Sequence, residues 1–507
     1  MTLLSLSMIV KNEESYLKDC LESVKGIADE IVIADTGSDD NTIKVAEEYN
    51  AKIFSFDWIN DFSAARNFAL SKCTGDWILY LDADERLSKD SIDEIKEIIS
   101  SKDNLAIKCL VKSIDSEHGR DNSMTFPRLF RNNPELKFTG RVHEQIESSI
   151  KELNYKIVDS GIEIIHLGYN VSGEAKKSKA SRNLNLLLEE YKSNKSSYIT
   201  FQLAQTYNIL EEYDEALNYA LVSINDKALE NTHRANLLGL IAYVELKKHK
   251  VQAAFRHIST ALDLDKKQPY LNLLASKISF RLNDLVGADD YLKYAIGFND
   301  ELKAGKIKSS INFILNDEEI IYSGLIVALK SKNNAGFQFW LDKLKISYGS
   351  KERKSGNLYL ALIDKLYRKI KLDNKEEKAF ADIINKDNTD LFLDLINDYP
   401  FSGLKLKLLE TLFEKEKDNS SVCNLYGIAL ADAGQDDKAI ELLGGNFEKD
   451  KQNPTIVFYL ISLLLKKNEF GKISALLKLA SENFSHIPEV KSRLQIMTEK
   501  LSPLLGK

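Results

Sequence analysis

The sequence predicts two architectures in series, an α/β domain at the amino end and an all-α array behind it. Three observations carry this expectation. Apolar runs of strand length alternate with amphipathic helical stretches through residue 172, the pattern of βα units and a mostly parallel sheet. One run, Trp77-Ile78-Leu79-Tyr80-Leu81, stops abruptly at Asp82-Ala83-Asp84-Glu85. From Gly173 on, strand patterns give way to helical ones in which small and aromatic residues recur about every 34 to 37 positions, a period that marks stacked helical repeats.

In order, Leu3 to Val10 reads as the first strand, followed by a helix through Tyr16, Leu17, Cys20, Leu21 and Val24. Ile31 to Ala34 is a second strand, ending in Asp35-Thr36-Gly37-Ser38-Asp39-Asp40, where Gly37 permits a tight turn and the polar cluster caps the helix Ile43 to Tyr49. Lys52 to Phe56 is a third strand, and the helix Phe62 to Ser71 delivers the chain to the Trp77 strand. Ligands of open α/β sheets sit at the carboxyl ends of strands, so Asp82 and Asp84 there suit a divalent cation and, through it, phosphates. Asp also favours turns and helix N-caps, so Asp84-Glu85 alone is equally compatible with a helix start after Leu87.

Composition narrows the function. The 507 residues are 44% hydrophobic and 29% charged, with a formal net charge of −7. No basic face points to nucleic acid, and no apolar run reaches the roughly 20 residues that span a bilayer. The amino end lacks a basic leader and cleavage site. Four cysteines, Cys20, Cys73, Cys109 and Cys423, stand far apart, which predicts neither a disulfide framework nor a zinc site and suits a reducing cytoplasm.

Four stretches in sequence, Ile9-Val10-Lys11-Asn12-Glu13-Glu14, Ala34 to Asp40, Ala65-Arg66-Asn67-Phe68-Ala69 and Gly75 to Glu85, resemble the nucleotide-binding half of family 2 glycosyltransferases of the Rossmann-like GT-A fold. Phe138 to Glu144 and His166-Leu167-Gly168-Tyr169 are similar to the acceptor half of bacteriocin-peptide S-glycosyltransferases and lipopolysaccharide core glucosyltransferases. The resemblance implies a UDP-sugar donor, with Glu13 at the ribose, Asp35 at the base, Arg66 at the diphosphate, Asp82 at the ribose or behind the metal, and Asp84 on Mn²⁺ or Mg²⁺. The family's usual second Asp is replaced here by Thr36. His166 ends an apolar run, where a packed or capping His is common; the resemblance implies a further metal ligand. Transfer also needs a group to take the acceptor's proton, for which Glu144 is the first candidate and His143 the second. The resemblance implies inversion at the anomeric carbon.

The domains expected are 1–172 for sugar transfer, 173–300 for tetratricopeptide-type repeats, 301–418 for helices whose repeat phase is not legible, and 419–507 for further repeats. Such solenoids offer concave surfaces for polypeptides, which points to a protein or peptide acceptor, such as flagellin or another surface protein, with a homodimer scaffold as the other use. Two further readings stay open: transfer to lipopolysaccharide or another surface glycan, for which Lys176, Lys177 and Lys179 are the membrane-facing hint, and a catalytically silent scaffold, favoured only by Thr36.

Overall fold

The computed structural model describes the chain apart from residues 1–3, 116–119, 168–172, 228, 305, 308–311, 351–355, 450–452 and 504–507. Leu3, Gly168-Tyr169 and the boundary residues Asn170-Val171-Ser172 therefore lie outside the described residues.

The first four strands alternate with helices as the sequence predicts: β1 (Leu4–Val10), α1 (Leu17–Ser23), β2 (Glu30–Asp35), α2 (Thr42–Glu48), β3 (Lys52–Ser55), α3 (Phe62–Leu70) and β4 (Trp77–Tyr80). They pair in parallel in the order β3-β2-β1-β4. β4 is buried on both faces. Trp77 and Leu79 join Leu6, Met8, Leu17, Leu21 and Ile33 in one core, while Ile78 and Tyr80 pack with Phe130, Phe138 and Ile150 in another, the two-residue alternation of a strand deciding which goes where.

Beyond β4 the sheet becomes mixed rather than mostly parallel. β5 (Glu85–Leu87) and α4 (Ile92–Ile99) lead to β6 (Leu105–Asp115), β7 (Arg120–Arg131), α5 (Glu147–Glu152) and β8 (Lys156–His166). Only four residues of sequence separate β6 from β7, too few for the crossover that a parallel pair needs, so these strands are antiparallel. β7 lies antiparallel to β4, β8 parallel to β6, and β5 antiparallel to β8. Hence β1, β2, β4, β6 and β8 all end on one edge. Glu85 opens a strand, not a helix, so the Asp-x-Asp pair is not a helix cap.

Behind the sheet come α6 (Gly173–Ser193), α7 (Ser197–Ile209), α8 (Tyr213–Ile224), α9 (Asn231–Lys247), α10 (Val251–Leu264), α11 (Pro269–Arg281) and α12 (Leu285–Lys303), each packed on the next around two successive cores. After α12 the chain returns to the sheet as β9 (Asn312–Ile314), antiparallel to β7. Met1–Ile320 is one compact unit and Ile321–Lys507 a second.

The second unit is helical throughout its described residues. Its repeat is legible in three dimensions: a Cβ on Gly427 would lie 2.5 Å from Leu443, and Gly324 sits just as closely against Trp340. Each glycine lets a helix seat a large side chain of the next, so Asn334–Ser350 stands to the helix before it as Asp436–Lys449 stands to Ser420–Asp432.

Candidate active site

Five of the eight residues singled out from the sequence gather on the carboxyl edge of the sheet. Glu13 follows β1 after Asn12, which takes a left-handed backbone at φ 57°, and its N–H donates to Thr42 Oγ1 at 2.7 Å. Asp35 ends β2 and accepts from the N–H groups of Gly37 and Ser38 at 3.2 Å each. Thr36 is buried, its hydroxyl donating to the Val10 carbonyl at 3.1 Å; here it ties β1 to β2. Asp82 and Asp84 follow β4. His166 ends β8, with Nε2 3.2 Å from Asp84 Oδ2 and Nδ1 3.1 Å from Ser113 Oγ.

Arg66 and Glu144 reach this edge from its other side. α3 is capped by Asp61, which accepts from the Ala64 N–H at 2.9 Å. It buries Arg66, whose Nη2 meets Asp82 Oδ1 at 2.8 Å and whose Nε meets Glu144 Oε1 at 2.5 Å. The guanidinium lies over the Tyr80 and Phe138 rings, 5.2 and 5.7 Å from their centroids. Next to it Asn67 ties α3 to the stretch after β7, donating to the Phe138 carbonyl at 3.0 Å and accepting from the Phe138 N–H at 2.8 Å. His143 is exposed, in a left-handed backbone at φ 55°.

Charge is unevenly compensated across the edge. Burial opposes ionisation of Asp82, but Arg66 and Arg128 outweigh it and hold the carboxyl well below the usual range. At Glu13 the balance is reversed: burial and then Asp84, Asp82 and Asp40 push it up to about 7, against the pull of Lys179. Burial disfavours a charged His166, yet its contact with Asp84 raises it above the ordinary imidazole value. The Glu13 side therefore carries surplus negative charge.

Among the described residues no cluster of three or more His, Cys, Asp or Glu is placed to hold a metal. Asp84 and His166 nevertheless fit a divalent cation that draws its remaining ligands from phosphates and water, since such ions use one or two protein groups beside a nucleotide.

Sequence reasoning missed several participants. Arg128, 7% exposed, pairs with Glu85, 1% exposed, at 2.6 Å, and lies 4.4 Å from the Tyr80 ring centroid. The other Glu85 oxygen accepts from the Asp82 N–H at 2.9 Å. A charge inside the run Phe126-Pro127-Arg128-Leu129-Phe130 was the available signal, because a buried charge needs a partner.

Residues 5–152 match the model described as glycosyl transferase family 2. A TPR repeat-containing protein of Synechococcus elongatus is 38% identical over 188 residues, 36% of this chain and 46% of that protein. The SPbeta prophage-derived glycosyltransferase SunS of Bacillus subtilis is 31% identical over 234 residues, 46% of this chain and 55% of its own. The chain thus spans about half the length of these curated relatives. A solved tetratricopeptide repeat protein from Parabacteroides merdae is 10% identical, covering 60% of this chain and 98% of its own at a TM-score of 0.40, a likeness too slight to bear on function. The family match over a sheet with this acid edge, and the helices behind it, make residues 5–152 a family 2 glycosyltransferase domain, joined here to tetratricopeptide-like repeats.

Proposed function

We propose that the chain is an inverting, metal-dependent glycosyltransferase that moves a sugar from a UDP-sugar to a Ser, Thr or Cys side chain of a bacterial protein, such as flagellin or another surface protein. The observation that carries this reading is the convergence of Glu13, Asp35, Asp82, Asp84 and His166 on one sheet edge, with Arg66 bridging Asp82 to Glu144.

In this reading Glu13 accepts from the ribose hydroxyls, and Asp35 accepts from the base in a short charge-assisted bond. Arg66 lends positive charge to the diphosphate side while fixing Asp82 relative to Glu144. Asp84 and His166 would hold a Mn²⁺ or Mg²⁺, which would supply further stabilisation of the departing charge. The acceptor attacks the anomeric carbon from the face opposite the diphosphate; the bond to the diphosphate breaks, its electron pair leaves with UDP, and the acceptor's proton passes to Glu144. His143, exposed and one residue away, is the alternative base. Domain 1–172 carries this chemistry, and the repeats from 173 on hold the acceptor. The four cysteines are free, in keeping with action in a reducing cytoplasm.

The test is UDP release from a panel of UDP-sugars with Mn²⁺, followed by transfer of the labelled sugar into bacterial lysate and mass spectrometry of the labelled peptides. Release from one donor, abolished by EDTA, and label on Ser, Thr or Cys are expected. No release and no nucleotide binding would sink the UDP-sugar assignment; label on glycan alone would sink the protein acceptor.

A further inference from the structure

We infer that the first helices of the array, α6 and α7, are a working part of the active site: they hold the loop Thr139–Ile146 in the position from which Glu144 acts. The inference rests on Glu144 as the proton acceptor.

The loop has little structure of its own. Thr139 and Gln145 exchange both backbone hydrogen bonds at 2.9 Å, closing a short turn. Inside it Gly140 and His143 take left-handed backbones, at φ 98° and 55°, a conformation that a non-glycine residue keeps only where its surroundings enforce it. On the sheet side two contacts supply that enforcement, the Phe62 N–H donating to the Arg141 carbonyl at 2.9 Å and Arg66 holding Glu144.

The other contacts come from the repeats. The Arg141 N–H donates to Glu190 Oε2 of α6 at 2.8 Å, and Gln145 Nε2 donates to Tyr198 Oη of α7 at 2.8 Å. Val142, the residue between Arg141 and His143, is buried in the core that α6 to α9 build for themselves, beside Leu187, Phe201 and Leu203. Phe62, at the start of α3, packs against the same core, with the Arg182 guanidinium of α6 5.6 Å from its ring centroid. Around Glu144, the Arg141 N–H and the Val142 and Gln145 side chains are thus held by α6 and α7, while its carboxylate is held by α3. Glu190 and Tyr198 are positioning residues, and a polypeptide seated along these helices would be felt at Glu144 through them.

The experiment uses the full chain carrying Glu190→Ala with Tyr198→Phe, beside Glu190→Gln, whose side-chain oxygen still accepts from Arg141, and Tyr294→Ser on the exposed face of α12 as a control. Amide exchange of residues 139–146, the donor Kd, and kcat and KM for UDP release are measured. In the double variant loop protection falls at least tenfold while β1, β2 and β4 stay protected, kcat falls at least fivefold, and the donor Kd stays within twofold. Glu190→Gln and Tyr294→Ser stay within twofold of wild type in every readout. Unchanged loop protection overturns the inference, as does lost protection with kcat intact, or a loss of donor binding that matches the loss of kcat. A wild type that releases UDP from no donor overturns the role of Glu144 itself, and exchange, which needs no turnover, tells that failure from failure of the helices to hold the loop.

Discussion

Two loops meet at Arg66, and they are anchored in different ways. The Asp82 loop rests on the sheet domain alone: the buried Glu85 carboxylate takes its backbone N–H and is neutralised by Arg128 from β7. The Glu144 loop hangs between α3 and the helices α6 and α7. The first is fixed by a charge pair in a dry interior; the second combines the Arg66 ion pair and the Phe62 N–H on the α3 side with two hydrogen bonds and the Val142 side chain on the side of α6 and α7. The Asp82 loop is therefore held within the sheet domain, whereas the Glu144 loop depends also on α6 and α7.

The sharpest way to break the first anchor is Arg128→Met, which leaves Glu85 charged and buried without a partner. A loss of about 3–5 kcal/mol is expected in denaturant unfolding of the first compact unit, most of it recovered in the double variant Arg128→Met with Glu85→Leu, because removing both charges removes the uncompensated one. A loss below about 1 kcal/mol would mean the pair does not anchor the loop.

Next in size is Asp84→Ala, which touches chemistry more than stability. UDP release should fall about 100- to 1000-fold, the scale of removing one stabiliser of developing charge, and EDTA should reproduce most of it in the wild type. Equal rates in variant and wild type would take Asp84 out of the site.

The second anchor is tested by Val142→Ala. Loss of two methyl groups from the repeat core should cost about 2 kcal/mol, seen as a shift in denaturant midpoint. It should lower kcat while leaving donor affinity unchanged, the opposite pattern to a change in the Asp82 loop.

The same contrast explains what was legible in the sequence. The Asp82 edge could be read because it is written locally: an apolar run long enough for one strand, then two acids, then the same grammar at Val10 to Glu13 and Ala34-Asp35. The helical repeats could be read from spacing. What could not be read were contacts made across the chain. Arg66 meets Glu144 only because α3 and the loop after β7 are brought together by the sheet, and Tyr198 meets Gln145 only through packing of α7. The mixed character of the sheet was also hidden, since β6 and β7 lack the intervening helix that makes βα units recognisable. Between 301 and 418 the spacing was harder to read because Trp340 meets Gly324 where Leu443 meets Gly427.

The smallest effect concerns protons. Burial and the neighbouring Asp84, Asp82 and Asp40 raise Glu13 in the native state to about 7, above the 4.5 of an unfolded chain. The native state therefore binds more protons between these values, and the contribution of Glu13 to stability declines as pH rises from about 4.5 to about 7. An NMR titration of the Glu13 carboxyl should show a midpoint near 7 that falls in Asp84→Asn, where a neighbouring charge is gone. A wild-type midpoint near 4.5 would contradict the crowding of acids on this edge.

The two halves are separated most directly by measuring UDP-sugar affinity and UDP release side by side in wild type, Asp84→Ala and Glu144→Gln. Asp84→Ala should weaken both donor binding in the presence of Mn²⁺ and release. Glu144→Gln should leave affinity within about twofold and lower release by 100-fold or more, the scale of a lost general base. Release that survives in Glu144→Gln, or affinity that survives in Asp84→Ala, would contradict a donor half built on the Asp82 loop and an acceptor half built on Glu144.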